Sequence, residues 1–181
     1  MSYTNLSKYI SLILRHKPEE AGITLDSHGW ADVKQLIAGI NRKYRIDMSI
    51  LEEIVKSDSK QRYSFNSDKT KIRANQGHSI NVDVELKEVE PPSILYHGTC
   101  TKFYDSISKQ GIKPQSRLYV HLSSDEKTAF NVGRRHGNPV VIVINSRLMY
   151  KNGIKFFKSE NGVYLTKYVP PKYFEKFIYS K

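Results

Sequence analysis

Arg62-Tyr-Ser-Phe-Asn-Ser-Asp-Lys-Thr-Lys-Ile-Arg73 holds two short runs, Arg62–Phe65 and Lys71–Arg73, on either side of Asn66-Ser-Asp-Lys69. Strand-forming residues around a polar turn predict a β-hairpin. Three helical patterns precede it. Leu6, Ile10, Ile13 and Leu14 recur at helical spacing and predict an amphipathic helix over 5–16. Pro18 bars its continuation and disfavours helical geometry at Lys17. Asp32 is placed as the N-cap of a second helix over 33–41, after a Gly29-Trp30 turn. A third, around 48–57, would bury Ile50, Leu51, Ile54 and Val55. Three helices followed by a hairpin is the order of a winged helix. Many such lobes touch nucleic acid, but fold alone does not assign function.

The hairpin lobe ends at a composition break. Asp83-Val-Glu-Leu-Lys-Glu-Val-Glu-Pro-Pro-Ser93 is acidic and closes on two prolines, so it reads as a strand running into a linker, with a boundary near 88–93. Two lobes are expected, 1–90 and 91–181. The second reads as mostly β, with strands over Ile94–His97, Leu118–Leu122, Val140–Asn145, Ile154–Phe157 and Val163–Thr166. Helices are placed over 101–110 and 125–134. The fold class expected is therefore α+β.

The 181 residues carry a formal net charge of +11. Residues 1–90 hold 14 Lys/Arg against 13 Asp/Glu, whereas residues 91–181 hold 15 against 5. So concentrated a positive field suits a polyanion such as nucleic acid, a dinucleotide or an anionic membrane, although a soluble basic surface has the same composition. Leu, Ile, Val and Phe make up 48 residues, too many for a disordered chain. No apolar run is long enough for a membrane span, and the polar opening Met1-Ser-Tyr-Thr-Asn5 is not expected to act as a secretory signal. The single cysteine, Cys100, excludes an internal disulfide and a multi-cysteine zinc site, and points to a reducing compartment.

Four clusters could carry chemistry. Arg15-His16 closes the first helix, either as a helix-end charge or as a fork and titratable donor for phosphate. In Ile72-Arg-Ala-Asn-Gln-Gly-His-Ser79, Gly77 permits close backbone approach, and Arg73, Gln76, His78 and Ser79 offer donors; an ordinary turn is the alternative. In Tyr96-His-Gly-Thr99, His97 and Thr99 share a strand face, and the bare Gly98 would let a planar ring lie against the backbone. Here the alternative is a buried structural histidine. In Arg117-Leu-Tyr-Val-His-Leu-Ser-Ser124, Arg117, Tyr119, His121 and Ser123 would share a polar face opposite Leu118, Val120 and Leu122. Gly133-Arg-Arg-His-Gly137 adds a basic turn. Phosphate-binding glycine loops and HExxH are missing, and no pair of acids in the second half suggests two-carboxylate or metal catalysis, so Arg, His, Ser and Tyr are the groups available, and no metal is expected.

In order, Leu14-Arg-His-Lys-Pro18, Gln61-Arg-Tyr63, Ile72–Ser79, Tyr96–Thr99, Arg117–Ser123, Gly133-Arg-Arg135 and Asn161-Gly-Val-Tyr-Leu165 resemble the NAD-dependent RNA 2′-phosphotransferases (tRNA 2′-phosphotransferases). The likeness runs from about residue 4 to residue 178. It implies a winged-helix-like lobe that holds 2′-phosphorylated RNA of the tRNA splice-junction type. It also implies a C-terminal ADP-ribosyltransferase-like β fold that holds NAD as a consumed co-substrate. The family's phosphate-gripping tetrad would fall on Arg15, His16, Arg62 and Arg117. Arg73, Gln76, His78 and Ser79 would assist with RNA or its phosphate. NAD contacts would fall on His97, Gly98, Thr99, His121, Ser123, Ser124, Gly133 and Arg134, with Val163 where many relatives carry a catalytic Glu. A cytoplasmic monomer is the expectation. The competing readings are an ADP-ribosyltransferase acting on nucleic-acid terminal phosphates and a non-catalytic winged-helix binder.

Overall fold

A computed structural model describes residues 3–179. The chain's ends, residues 1–2 and 180–181, lie outside the described residues. The chain divides into two compact units, Met1–Glu85 and Leu86–Lys181.

In the first unit, helix α1 (Tyr3–Arg15) buries Leu6, Tyr9, Ile10, Ile13 and Leu14. Each such side chain taken out of water contributes roughly 1.5–3 kcal/mol before entropy is charged. Pro18 opens a separate 3₁₀ turn, Pro18–Ala21, as the proline rule requires. Strand β1 (Ala31–Asp32) runs into α2 (Val33–Ile40), whose first turn is capped by the Asp32 carboxylate accepting from the Gln35 N–H at 2.8 Å. Asp47 caps α3 (Met48–Ser57) in the same way, on the Ile50 N–H. Only Leu51 and Ile54 of α3 are fully buried; Ile50 and Val55 pack at the core's margin. The hairpin is β2 (Tyr63–Phe65) and β3 (Lys71–Ala74), paired Tyr63 to Ala74 and Phe65 to Ile72. Its turn is fastened by the Asn66 side-chain oxygen, which accepts the Lys71 N–H at 2.8 Å. β3 also pairs with β1, giving a three-stranded antiparallel sheet in the order β1-β3-β2. Two residues of strand before α2 left no alternation to read.

In the second unit the elements are β4 (Lys87–Glu88), β5 (Leu95–Cys100), α4 (Tyr104–Gln110), β6 (Val120–Leu122), α5 (Glu126–Gly133), β7 (Pro139–Ile144), α6 (Ser146–Lys151), β8 (Phe157–Lys158), β9 (Tyr164–Thr166) and β10 (Phe174–Tyr179). They build two antiparallel sheets, β10-β7-β5 and β4-β8-β9-β6. β7 is central, and Val140 through Ile144 are all buried, which explains that uninterrupted apolar run. The sheets join through one isolated antiparallel pair: the Tyr96 N–H donates to the Ser123 carbonyl at 2.9 Å, and the Ser123 N–H returns to Tyr96 at 2.8 Å.

Several sequence boundaries move. β5 extends to Cys100, and β6 starts only at Val120. The strand expected over Ile154–Phe157 is displaced to Phe157–Lys158. α6 and the edge strand β10 were not anticipated. Among the described residues no helix is long and apolar enough to cross a membrane.

Candidate functional site

In the first unit, the groups singled out from sequence converge on the hairpin end opposite its turn. Register places Arg62, just before β2, against Asn75, just after β3: the Asn75 N–H donates to the Arg62 carbonyl at 2.8 Å. From Asn75 the chain turns at Gly77, whose φ of +91° suits a residue without a Cβ. A Cβ there would lie 3.6 Å from the Arg15 guanidinium, so that side chain spreads over the glycine. The Ser79 N–H then donates to the Arg15 carbonyl at 3.0 Å, tying the loop to the end of α1. The Ser79 hydroxyl meets His16 Nδ1 at 2.9 Å. Arg15, His16, Gly77, His78 and Ser79 therefore form one joint, with Arg62 and Gln76 at the same end of the hairpin.

Two residues in this group face inward. His78 is buried, and its pKa is pushed down to about 4, first by desolvation and then by the charges of Arg15, His16 and Arg73. It is neutral at pH 7. The Arg73 guanidinium donates to Glu85 at 3.0 Å and stacks 4.4 Å above the Trp30 ring. The Arg73 side chain is only 11% exposed, so most of it is packed inside the unit.

Sequence reading missed the acid that holds Arg62. The Asp58 carboxylate is 6% exposed; it pairs with Arg62 Nη1 and accepts the Arg62 N–H at 2.7 Å. An aspartate following a helix, with arginine four residues on, was the available signal.

In the second unit, His97 on β5 has its Nδ1 3.1 Å from the His121 carbonyl. A carbonyl can only accept, so Nδ1 carries the hydrogen and Nε2 is left as an acceptor. Burial holds the His97 pKa below its ordinary value; the bond to His121 works the other way, and the charges of His136 and Arg117 add to the lowering. Arg117 does not lie on β6 as expected. It follows a turn at Gln115 (φ +56°), and its N–H donates to the Pro114 carbonyl at 3.1 Å. The alternation read from Arg117 to Ser123 holds only where strand geometry exists, at Val120, His121 and Leu122. Although Arg117 is exposed, its guanidinium pKa is drawn down by desolvation and by repulsion from Arg135.

The expected bare shelf beside Gly98 is not there, because α5 occupies it. A Cβ on Gly98 would lie 1.8 Å from the Ala129 carbonyl oxygen, and one on Gly133 would lie 2.4 Å from the Thr99 carbonyl oxygen. Gly98 and Gly133 let the helix backbone settle onto β5, and Thr99 is buried beneath it. Ser123 bridges the sheets, Ser124 precedes the Asp125 cap of α5, and exposed Arg134 ends that helix. Val163 sits on the β8–β9 turn, where its carbonyl accepts the Ser159 N–H at 3.0 Å. Among the described residues no group of three or more His, Cys, Asp or Glu is placed to hold a metal ion.

Both units present cations and histidines suited to phosphate and nucleotide oxygens. The sequence profile of the RNA 2′-phosphotransferase, Tpt1 / KptA family matches residues 2–168. The chain belongs to that family. Two similar proteins, each bearing the name "Probable RNA 2′-phosphotransferase", come from Flavobacterium johnsoniae and Fusobacterium nucleatum. The first is 51% identical over 172 residues, covering 94% of each chain. The second is 56% identical over 170 residues, covering 93% of this chain and 95% of its own. A third with that name, from Hahella chejuensis, is 47% identical over 168 residues, covering 92% of this chain and 90% of its own. Membership makes the chain a transferase of the RNA 2′-phosphotransferase class.

Proposed function

We propose that this transferase removes an internal RNA 2′-phosphate by passing it to NAD. An oxygen of the 2′-phosphate attacks C1″ of the nicotinamide ribose, and nicotinamide leaves with the bonding electrons. The ribose O2″ then attacks the same phosphorus and breaks its bond to the RNA 2′-oxygen. The products are RNA with a free 2′-hydroxyl, nicotinamide and ADP-ribose 1″,2″-cyclic phosphate.

The observation that carries this reading is the joint of Arg15, His16 and Ser79 at the hairpin end that also bears Arg62, in a chain of this family. The phosphate is already anionic, so the first step needs positioning more than a base. The oxocarbenium-like centre formed as nicotinamide departs has the phosphate beside it. That is why apolar Val163 can stand where a catalytic Glu would otherwise be. The second step builds charge on phosphoryl oxygens, which suits arginine, and Arg15, Arg62 and Arg117 are the candidates. His16 supplies a hydrogen bond or a proton to the leaving 2′-oxygen.

We assign RNA to a winged-helix-like lobe, residues 1–90, because helix, strand, two helices and a hairpin follow in that order. We assign NAD to an ADP-ribosyltransferase-like lobe, residues 91–181. There, neutral His97 has an Nε2 acceptor suited to a ribose hydroxyl, and His121, Ser123, Ser124 and Arg134 are the further candidates. Gln76 and Ser79 remain beside the phosphate; Gly98, Thr99 and Gly133 shape the NAD lobe by packing.

The test mixes the protein with NAD and a short RNA bearing one internal 2′-phosphate, and reads the products by mass spectrometry. ADP-ribose cyclic phosphate and dephosphorylated RNA are expected, with neither from a 2′-hydroxyl control. A product that keeps ADP-ribose on a terminal phosphate would instead make the chain a nucleic-acid ADP-ribosyltransferase. No nicotinamide release at all would leave only RNA binding.

A further inference from the structure

We infer that Asp58 is a positioning residue for the phosphoryl transfer, acting through Arg62. Asp58 follows the last turn of α3, and its carboxylate is nearly sealed from water, with 6% of the side chain exposed. One oxygen takes the Arg62 N–H at 2.7 Å. The other takes Arg62 Nη1 and, at 3.2 Å, the Lys60 N–H. The chain reaches this arrangement through Gln61, held at a φ of +43°, where side chains are seldom found. Its N–H is tied to the Asp58 carbonyl at 2.8 Å, and its own carbonyl accepts from the Asn75 side chain at 2.7 Å. Arg62 is thus fixed at both its backbone and one end of its guanidinium. Among the described residues no other group bonds that guanidinium, so its remaining N–H donors have one orientation and no competing partner.

An acid beside a phosphate-binding cation needs an explanation. Its charge subtracts from the attraction Arg62 exerts on an anion, so electrostatics alone would select against it. Geometry supplies the compensation. An arginine that must meet charge developing on phosphoryl oxygens gains from a fixed fork, and misplacement by about 1 Å can cost on the order of 100-fold in rate. The inference therefore predicts a split. Weakening the Asp58–Arg62 bond should slow the chemical step while leaving RNA binding intact or slightly tighter.

The inference rests on the proposed role of Arg62, and the experiment separates the two. Single-turnover kinetics with NAD and the 2′-phosphorylated RNA are run for the parent, Asp58→Asn, Arg62→Ala and the double variant. Asp58→Asn keeps an amide oxygen for the Arg62 N–H and leaves the Gln61 N–H on the residue-58 carbonyl, at the loss of the longer bond from the Lys60 N–H; unchanged thermal unfolding checks that the turn holds. Asp58→Ala is run alongside. With Asp58→Asn, conversion of the ADP-ribosylated RNA is expected to slow about tenfold or more, with RNA Kd no weaker than the parent's. In the Arg62→Ala background the same substitution should add no further loss. A fully active Asp58→Asn variant, or an equal loss in both backgrounds, overturns the inference and leaves Asp58 a turn residue. A fully active Arg62→Ala variant overturns the role of Arg62 first, and the inference with it.

Discussion

His16 and Ser79 stand 63 positions apart in the chain and 2.9 Å apart at Nδ1 and Oγ. The hydroxyl can donate to a neutral imidazole or accept from a protonated one, so it steers the ring in either state. Ser79→Ala should slow turnover about fivefold, the worth of one ordinary hydrogen bond. Ser79→Thr keeps the hydroxyl and should restore most of the rate. Steady-state kinetics of the two variants test this. A threonine variant as slow as the alanine one would remove the hydroxyl from the argument.

Arg62 and Arg117 should matter more to the second step than to the first, since charge builds on phosphoryl oxygens there. Removing either by alanine should cost on the order of 3 kcal/mol of barrier, about a hundredfold in rate. 2′-Phospho-ADP-ribosylated RNA should then accumulate as a slower band on a denaturing gel. Full dephosphorylation by either variant would show that the missing arginine is not one of the phosphate's partners.

Local rules made α1, α2, α3 and the hairpin legible. Asp32 before Val33 and Pro18 after His16 fix helix ends by short-range chemistry, and those ends fell within a residue or two of expectation. β10 was not legible. Phe174 through Tyr179 lies at a sheet edge with partly exposed residues on both faces, so it shows no alternation. At the site, Arg15, His16 and Ser79 were visible as residue types, but their contact depends on a loop crossing back to α1. The packing of Arg73 against Trp30 and Glu85 was not legible either, because a guanidinium held inside a lobe has the same letter as one reaching for phosphate. Asp58 was passed over for a related reason: its burial comes from tertiary packing, which an exposed-looking Ser-Asp-Ser stretch does not announce.

His97 is held neutral by burial, and its donated Nδ1 hydrogen leaves Nε2 as an acceptor. An ordinary histidine is half protonated near pH 6.5 and would lose that acceptor there. NAD KM should therefore rise less, as pH falls from 8 through 6.5, than half-protonation at pH 6.5 would make it. His97→Ala should raise KM for NAD at every pH in that range. Initial rates against NAD concentration at three pH values check both statements, and unchanged NAD saturation in the variant would take His97 out of the nucleotide site.

Gly98 has no room for a methyl group, because the Ala129 carbonyl oxygen would sit 1.8 Å from it. The obstacle is backbone and cannot rotate away. Gly98→Ala should destabilise the protein by about 3 kcal/mol or more, at or beyond the usual overpacking range. Gly162→Ala makes the contrast, with no atom within 4 Å of the added carbon and only the strain of its φ of +78°. Chemical denaturation should rank the pair in that order, and equal losses would mean that α5 can shift off β5 at little cost.

The neutral His78 makes the fold sensitive to acid in a defined window. Its pKa in the folded chain is about 4, against 6.5 unperturbed, so between those values the unfolded chain binds more protons than the folded one. Stability then rises with pH across the window. The contribution is complete above pH 6.5, is lost progressively as pH falls, and is gone by about pH 4. Its size is on the order of 3 kcal/mol at most. His97, also held neutral, adds to the slope in the same direction. Urea denaturation at steps from pH 7 to pH 4.5 should show the decline. His78→Asn, which removes the titrating group, should lose less on acidification than the parent, whatever its stability at pH 7. Parallel curves for the two proteins would mean that His78 takes up its proton without unfolding.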